Sequence, residues 1–130
     1  MRPVVDLSVY LVLDPDLCGG VQGMIDTTRA AVQNCATCVQ LRAPHWKKRQ
    51  LVEVGRALMQ VLAGTNVPLI VNDHADVCLA VNADGLHVGQ DDLSPADARA
   101  LIGPEKVLGL SVSNAKQLAA VDTSLVDHLG

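Results

Sequence analysis

An α/β fold, in which βα units feed a parallel sheet, is predicted by two features of this 130-residue chain. Short runs rich in Val, Leu and Ile alternate with longer segments whose apolar residues recur at helical spacing. The runs open near Ser8, Thr37, Pro68, Gly85, Lys106 and Ser124, a pace of about 23 residues per unit at which an eight-unit barrel needs on the order of 190 residues. The sequence therefore carries about five βα units and the opening of a sixth strand, part of a barrel, as a single domain over residues 1–130.

The first strand is read as Ser8 to Leu13, SVYLVL, and a loop follows through Asp14-Pro15 and Gly19-Gly20. Met24, Ile25, Ala30 and Ala31 then recur at helical spacing up to Asn34. The second strand runs from Thr37 to Leu41 and stops at Ala43-Pro44-His45. Leu51, Val54, Leu58 and Val61 lie three and four residues apart, the stripe of an amphipathic helix that ends at Gly64. Pro68 opens a third strand, PLIVN, and the segment His74 to Val81 is apolar on most sides. Asp84-Gly85 turns into the fourth strand, LHV. Ser94 as N-cap, Pro95 at the first helical position and Asp97 in the first turn start a helix that stops at Gly103-Pro104. Lys106 to Leu110 is the fifth strand, Ala115 to Val121 another helix, and Ser124 to Gly130 begins the sixth strand.

Composition narrows the function. With 49% hydrophobic residues the chain can bury a core, which excludes a disordered tail. A net charge of −4 argues against nucleic acid as a partner. The apolar runs are a few residues long, short of the roughly 18 that a membrane span needs, so no membrane partner and a cytoplasmic location are expected. Cys35 and Cys38 form a C-x-x-C, which could be half of a zinc site or a redox pair. Cys18 and Cys78 offer no partner at matching spacing, and a redox pair would open a helix, whereas this stretch leads into a strand. Small buried thiols in a reducing compartment are the expectation.

Parallel βα architectures place their sites at the carboxyl ends of the strands. The polar residues there are Asp14, then Gln40 and Arg42, Asn72 and Asp73, Gln90, Asp91 and Asp92, and Ser111 and Ser113. Each has a plain structural alternative: Asp14 can cap a loop, Asn72-Asp73 a helix, and Asp91-Asp92 can form a solvated turn. Together they carry more. Two carboxylates from neighbouring strand ends, with an Arg and an amide nearby, make the hard-oxygen surroundings that hold Mg²⁺ on a diphosphate, and Arg42 can fork onto phosphate oxygens. A phosphorylated substrate follows. The four histidines have bland readings: His45 and His74 in rim loops, His128 near the end, and His87 filling a strand with no role assigned. His74 could support a metal ligand as the neighbour of Asp73.

At these residues the sequence resembles the thiamine-phosphate synthase (thiamine-phosphate pyrophosphorylase) family. The resemblance rests on VYLVLD, VQLR at Val39 to Arg42, PLIVND at Pro68 to Asp73, ADGLHVGQDDLSPADAR at Ala83 to Arg99, and GLSVS at Gly109 to Ser113. It implies a TIM (β/α)8 barrel and a transferase of thiamine biosynthesis that joins hydroxymethylpyrimidine diphosphate to hydroxyethylthiazole phosphate, releasing diphosphate. In the family the step is dissociative, so the site must stabilise the leaving diphosphate and position the second substrate. Carried over by motif, Asp73 and Asp92 bind Mg²⁺, and Gln40, Arg42 and Asn72 contact the pyrimidine diphosphate. Ser111 reaches the same substrate near its diphosphate end, and Arg42 and Ser111 are the residues expected to act in catalysis.

Two departures qualify this. The family reads Q-L-R-x-K where this chain has Gln40-Leu41-Arg42-Ala43-Pro44, so a proline stands in place of a diphosphate-binding lysine. Lys47 or Lys48 could substitute from the following loop, though poorly. Family members also continue past the sixth strand into a G-P-x-x-x-T-x-T-K loop and two further βα units that supply a lysine and the thiazole-phosphate cradle, none of which is in this sequence. The chain is thus expected to hold the metal and pyrimidine half of the site, and to self-associate through the unpaired edges of its incomplete sheet. The alternatives are a non-catalytic fragment or binding remnant, favoured by Pro44, and a relative of the thiazole tautomerases. Tautomerases do not need the carboxylates retained here at Asp73 and at Asp91-Asp92.

Overall fold

The computed structural model describes residues 2–130. Six strands form one parallel sheet in chain order: β1 (Tyr10–Leu13), β2 (Cys38–Leu41), β3 (Leu69–Asn72), β4 (Gly85–Val88), β5 (Val107–Leu110) and β6 (His128–Leu129). The helices between them are α1 (Pro15–Cys18), α2 (Gly20–Gln33), α3 (Lys48–Leu62), α4 (Ala75–Val81), α5 (Pro95–Ile102) and α6 (Ala115–Ala119). Neighbours in sequence are neighbours in the sheet, the order of a (β/α) barrel followed part of the way round. The α/β half-barrel expected from the alternation is present.

Strand side chains alternate between two faces. Leu13, Val39, Leu41, Leu69, Val71, Leu86, Val88, Leu108 and Leu110 face the helices and join one core with Met24, Leu51, Val54, Leu58, Val77 and Ile102. The stripe foreseen on α3 supplies Leu51, Val54 and Leu58 to it, all at most 2% exposed. On the other face Cys38, Ile70 and Val107 form a small apolar plug with Val5 and Tyr10 packed on it. Above that plug the same face turns polar, which is where the site lies.

The structure moves several expected boundaries, each for a local reason. β1 starts at Tyr10 rather than Ser8, because pairing with β2 begins at Tyr10 opposite Cys38 and Asp6 takes the Ser8 N–H at 2.9 Å in a turn. The expected loop at Asp14 to Gly20 contains α1: Asp14 caps it by accepting from Asp16 N–H at 2.9 Å, and Gly19 closes it with φ of 82°. The structural alternative for Asp14 is therefore the observed one. The apolar segment after His74 is α4, with Ala75, Val77, Cys78 and Val81 buried. α6 ends at Ala119, short of Val121. β6 is confined to His128–Leu129, because Asp122 holds the Ser124 N–H at 2.9 Å in a turn before it.

Asp127 ties this last strand down. Its Oδ2 accepts from the Leu108 backbone N–H and from Arg99 Nη2, each at 2.8 Å. Its Oδ1 accepts from Arg2 Nε at 2.6 Å. Arg99 also donates to the carbonyls of Gly103, Lys106 and Leu125, so one side chain joins the end of α5, the start of β5 and the approach to β6.

Candidate active site at the carboxyl rim

The polar layer follows from register. Asn72 of β3 lies opposite His87 of β4, His87 opposite Gly109 of β5, and Gly109 opposite His128 of β6. Residues so paired point to the same face, and this row is one step above the Ile70, Gly85 and Val107 row of the plug. Gly109 is what lets two imidazoles meet there: a Cβ on it would lie 2.3 Å from His128 Nε2 and 2.4 Å from His87 Nδ1. The rings sit with centroids 5.5 Å apart, and the edge of Tyr10 meets His128 at 5.9 Å.

These groups line a cavity of about 630 Å³ with Gln40, Arg42, Asn72 and Ser111. It is larger than the clefts of about 450 and 550 Å³ that the Pro3–Val5 segment lines elsewhere. All four substrate-contact residues expected from sequence thus converge. Gln40 is 6% exposed and donates to the Tyr10 hydroxyl at 2.9 Å. Ser111 is held by its backbone, which donates to Val88 O at 3.0 Å and accepts from Gln90 Nε2 at 2.8 Å. Its Oγ meets His87 Nε2 at 2.8 Å.

Asp73 stands beside this cavity rather than in it, in a narrow crevice that shares Asn72 and is walled by Ala43, Pro44 and Leu51. It leaves β3 in a left-handed conformation, φ 65°, and donates its backbone N–H to His87 O at 2.8 Å. The N-cap of α4 is His74, so neither Asn72 nor Asp73 caps that helix and the structural alternative for the pair fails. The Asp73 carboxyl faces that of Asp92, whose Oδ2 accepts from Gly89 N–H at 2.8 Å. Burial and then the facing Asp92 carboxylate push the Asp73 pKa up, while His74 and Arg42 pull it back. A divalent cation beside the Asp73 carboxyl would offset the burial and the facing carboxylate that disfavour its charged form. Among the described residues no third His, Cys, Asp or Glu joins them. A pair is the protein complement that suits Mg²⁺, which takes its other ligands from phosphate and water.

The structure adds contacts to the bland reading of the histidines. His87, to which sequence assigned no role, is buried at 7% exposure and bonded to Ser111. Desolvation, then the proximity of His128, push its pKa down to about 4. His128 is lowered as well, chiefly by burial. Tyr10, also not singled out, has its hydroxyl pKa raised by burial. The alternation of a strand could have placed His87 on the inward face, but only the register across β3, β4 and β5 tells that this face is the wet one.

The cysteines divide. Cys38 and Cys78 are buried as expected, and desolvation pushes each thiol up to about 11. Cys35 corrects the expectation: it is exposed, at φ 90° in the turn before β2. Of the possible substitutes for the lysine replaced by Pro44, Lys48 is engaged with Asp76 at 2.6 Å, and Lys47 is the N-cap of α3.

Comparison with known proteins agrees with the geometry. The family model for thiamine monophosphate synthase matches residues 9–130. The chain is similar to the thiamine-phosphate synthase of Laribacter hongkongensis, 53% identical over 130 residues, all of this chain and 61% of that one. It is also similar to the thiamine-phosphate synthase of Xanthobacter autotrophicus, 54% identical over 125 residues, 96% of this chain and 59% of that one. Among solved structures, the thiamine phosphate pyrophosphorylase from Pyrococcus furiosus superposes with a TM-score of 0.81 at 27% identity, covering 94% of this chain and 58% of that one. The chain spans about three fifths of the length of the curated relatives it matches.

Proposed function

The chain belongs to the thiamine monophosphate synthase family, and from that premise we propose that it forms the pyrimidine-diphosphate part of a thiamine-phosphate synthase site. The reaction is the condensation of hydroxymethylpyrimidine diphosphate with hydroxyethylthiazole phosphate. The carbon–oxygen bond to diphosphate breaks first, both electrons leaving with the oxygen, and the thiazole nitrogen closes a new bond to the pyrimidine-stabilised carbocation.

The observation that carries this reading is the facing pair Asp73 and Asp92 next to a cavity that Gln40, Arg42, Asn72 and Ser111 line. Asp73 and Asp92 would hold Mg²⁺, which when bound supplies positive charge to the departing diphosphate. Arg42 forks onto phosphate oxygens as their charge develops, and its fixed charge requires no proton transfer. Gln40 and Asn72 orient the pyrimidine diphosphate, and Ser111 donates toward its diphosphate end. Retention of the two carboxylates favours the synthase reading over the tautomerase one. A cytoplasmic location, where four free thiols stay reduced, belongs to the same reading.

Calorimetric titration of the 130-residue chain with hydroxymethylpyrimidine diphosphate tests it. Saturable binding that requires Mg²⁺ is expected; binding indifferent to Mg²⁺, or none by folded chain, overturns the reading.

We also propose that the chain on its own self-associates. Among the described residues β1 and β6 are each paired on one side only, and Val12 on β1 is 47% exposed, which invites edge pairing. Light scattering is expected to give a mass above the 13.7 kDa of one chain, and a clean monomer overturns this.

A further inference from the structure

We propose that His128 is a positioning residue: by donating from Nε2 to His87 Nδ1 it makes His87 donate from Nε2 to Ser111 Oγ, which turns the Ser111 hydroxyl proton toward an acceptor atom in the cavity.

The direction of this chain of bonds follows from one orphaned atom. Nδ1 of His128 is buried and has no hydrogen-bonding partner among the described residues. A proton there would be a buried N–H with nowhere to go, and such donors are rarer in folded proteins than under-satisfied acceptors. His128 therefore carries its proton on Nε2. That nitrogen faces His87 Nδ1 at 3.4 Å, so His87 Nδ1 accepts and the His87 proton sits on Nε2, 2.8 Å from Ser111 Oγ. A serine hydroxyl has one proton and two lone pairs. With one lone pair taken by His87, the proton points elsewhere, and the cavity is what Ser111 lines.

The opposite direction would leave Ser111 donating to His87 and would offer the cavity only lone pairs. A phosphate oxygen, which can only accept, would then be repelled at this position. Gly109 is part of the device, since any Cβ there would occupy the space in which the two imidazoles meet. The assignment of the acceptor as a phosphate oxygen rests on the proposed function; the proton positions do not.

Nitrogen-15 long-range correlation spectra of the histidine-labelled chain read the tautomers directly. Both His87 and His128 are expected to be protonated at Nε2, and a proton on Nδ1 of His87 overturns the proposal. His128→Phe, which keeps a ring without a donor, is expected to leave His87 as a mixture of tautomers. It is also expected to weaken binding of inorganic diphosphate in Mg²⁺ about tenfold. His128→Gln, which restores a donor, is expected to recover both signals, whereas unchanged tautomer and affinity in the Phe variant overturn the proposal. Should the unsubstituted chain bind no diphosphate, the proposed function fails and the tautomer spectra alone decide the positioning role.

Discussion

Asp73→Asn is expected to cost about a hundredfold in Mg²⁺-dependent affinity for hydroxymethylpyrimidine diphosphate while leaving the metal-free chain at least as stable as before. Asn is the informative replacement, because Asp73 sits at φ 65° and Asn tolerates the left-handed region where Ala is strained. Loss of the carboxylate proposed to hold Mg²⁺ should match or exceed the ten- to hundredfold typical of outer partners of a metal, hence the estimate of about a hundredfold. Stability moves the other way. Asp73 is held against desolvation and against the carboxylate of Asp92, so the neutral amide relieves a repulsion that only a cation would otherwise offset. Calorimetry with and without Mg²⁺, paired with thermal melts, separates the two effects. A variant that melts lower without metal and binds as before would show Asp73 to be a structural turn residue.

Asp127→Ala is expected to destabilise the fold by about 2 kcal/mol, chiefly because it leaves the part-buried Leu108 N–H without its acceptor. Asp127 and Arg99 are only 18% and 11% exposed at their side chains. Removing the carboxylate strands the Leu108 N–H and strips Arg99 and Arg2 of their acid at once. Arg99 keeps its three carbonyl partners, which limits the loss. Urea denaturation measures it. The exposed pair Lys48–Asp76, 59% and 58% exposed, is the internal control: Lys48→Ala is expected to cost under about 1 kcal/mol. Equal effects from the two substitutions would mean that Asp127 anchors nothing in particular.

The two ends of the molecule were unequally legible in the chain. The residues expected at the rim, Gln40, Arg42, Asn72 and Ser111, do share one cavity, because each follows an apolar run and parallel strands put all their carboxyl ends on one side. The acids Asp73 and Asp92, which the motifs single out together, face one another. Alternation was enough for this. It was not enough for α1, hidden in a stretch of turn-forming residues, where Asp14, Pro15 and Gly19 make a one-turn helix that periodicity cannot detect in four residues.

Strand order, helix stripes and the polar rim were thus determined by local sequence, since apolar period and turn chemistry act within a few residues of each position. What the tertiary structure decided was the inward face. Whether His87 fills a core or meets a ligand depends on Asn72, Gly109 and His128, which lie between 15 and 41 residues away and become its neighbours only through the register of β3 to β6. The sidedness of a strand is written in every second residue, but which side stays wet depends on how the sheet curls and what fills its axis. Here Cys38, Ile70 and Val107 fill the base, and a glycine above them leaves room for two imidazoles and a serine to meet.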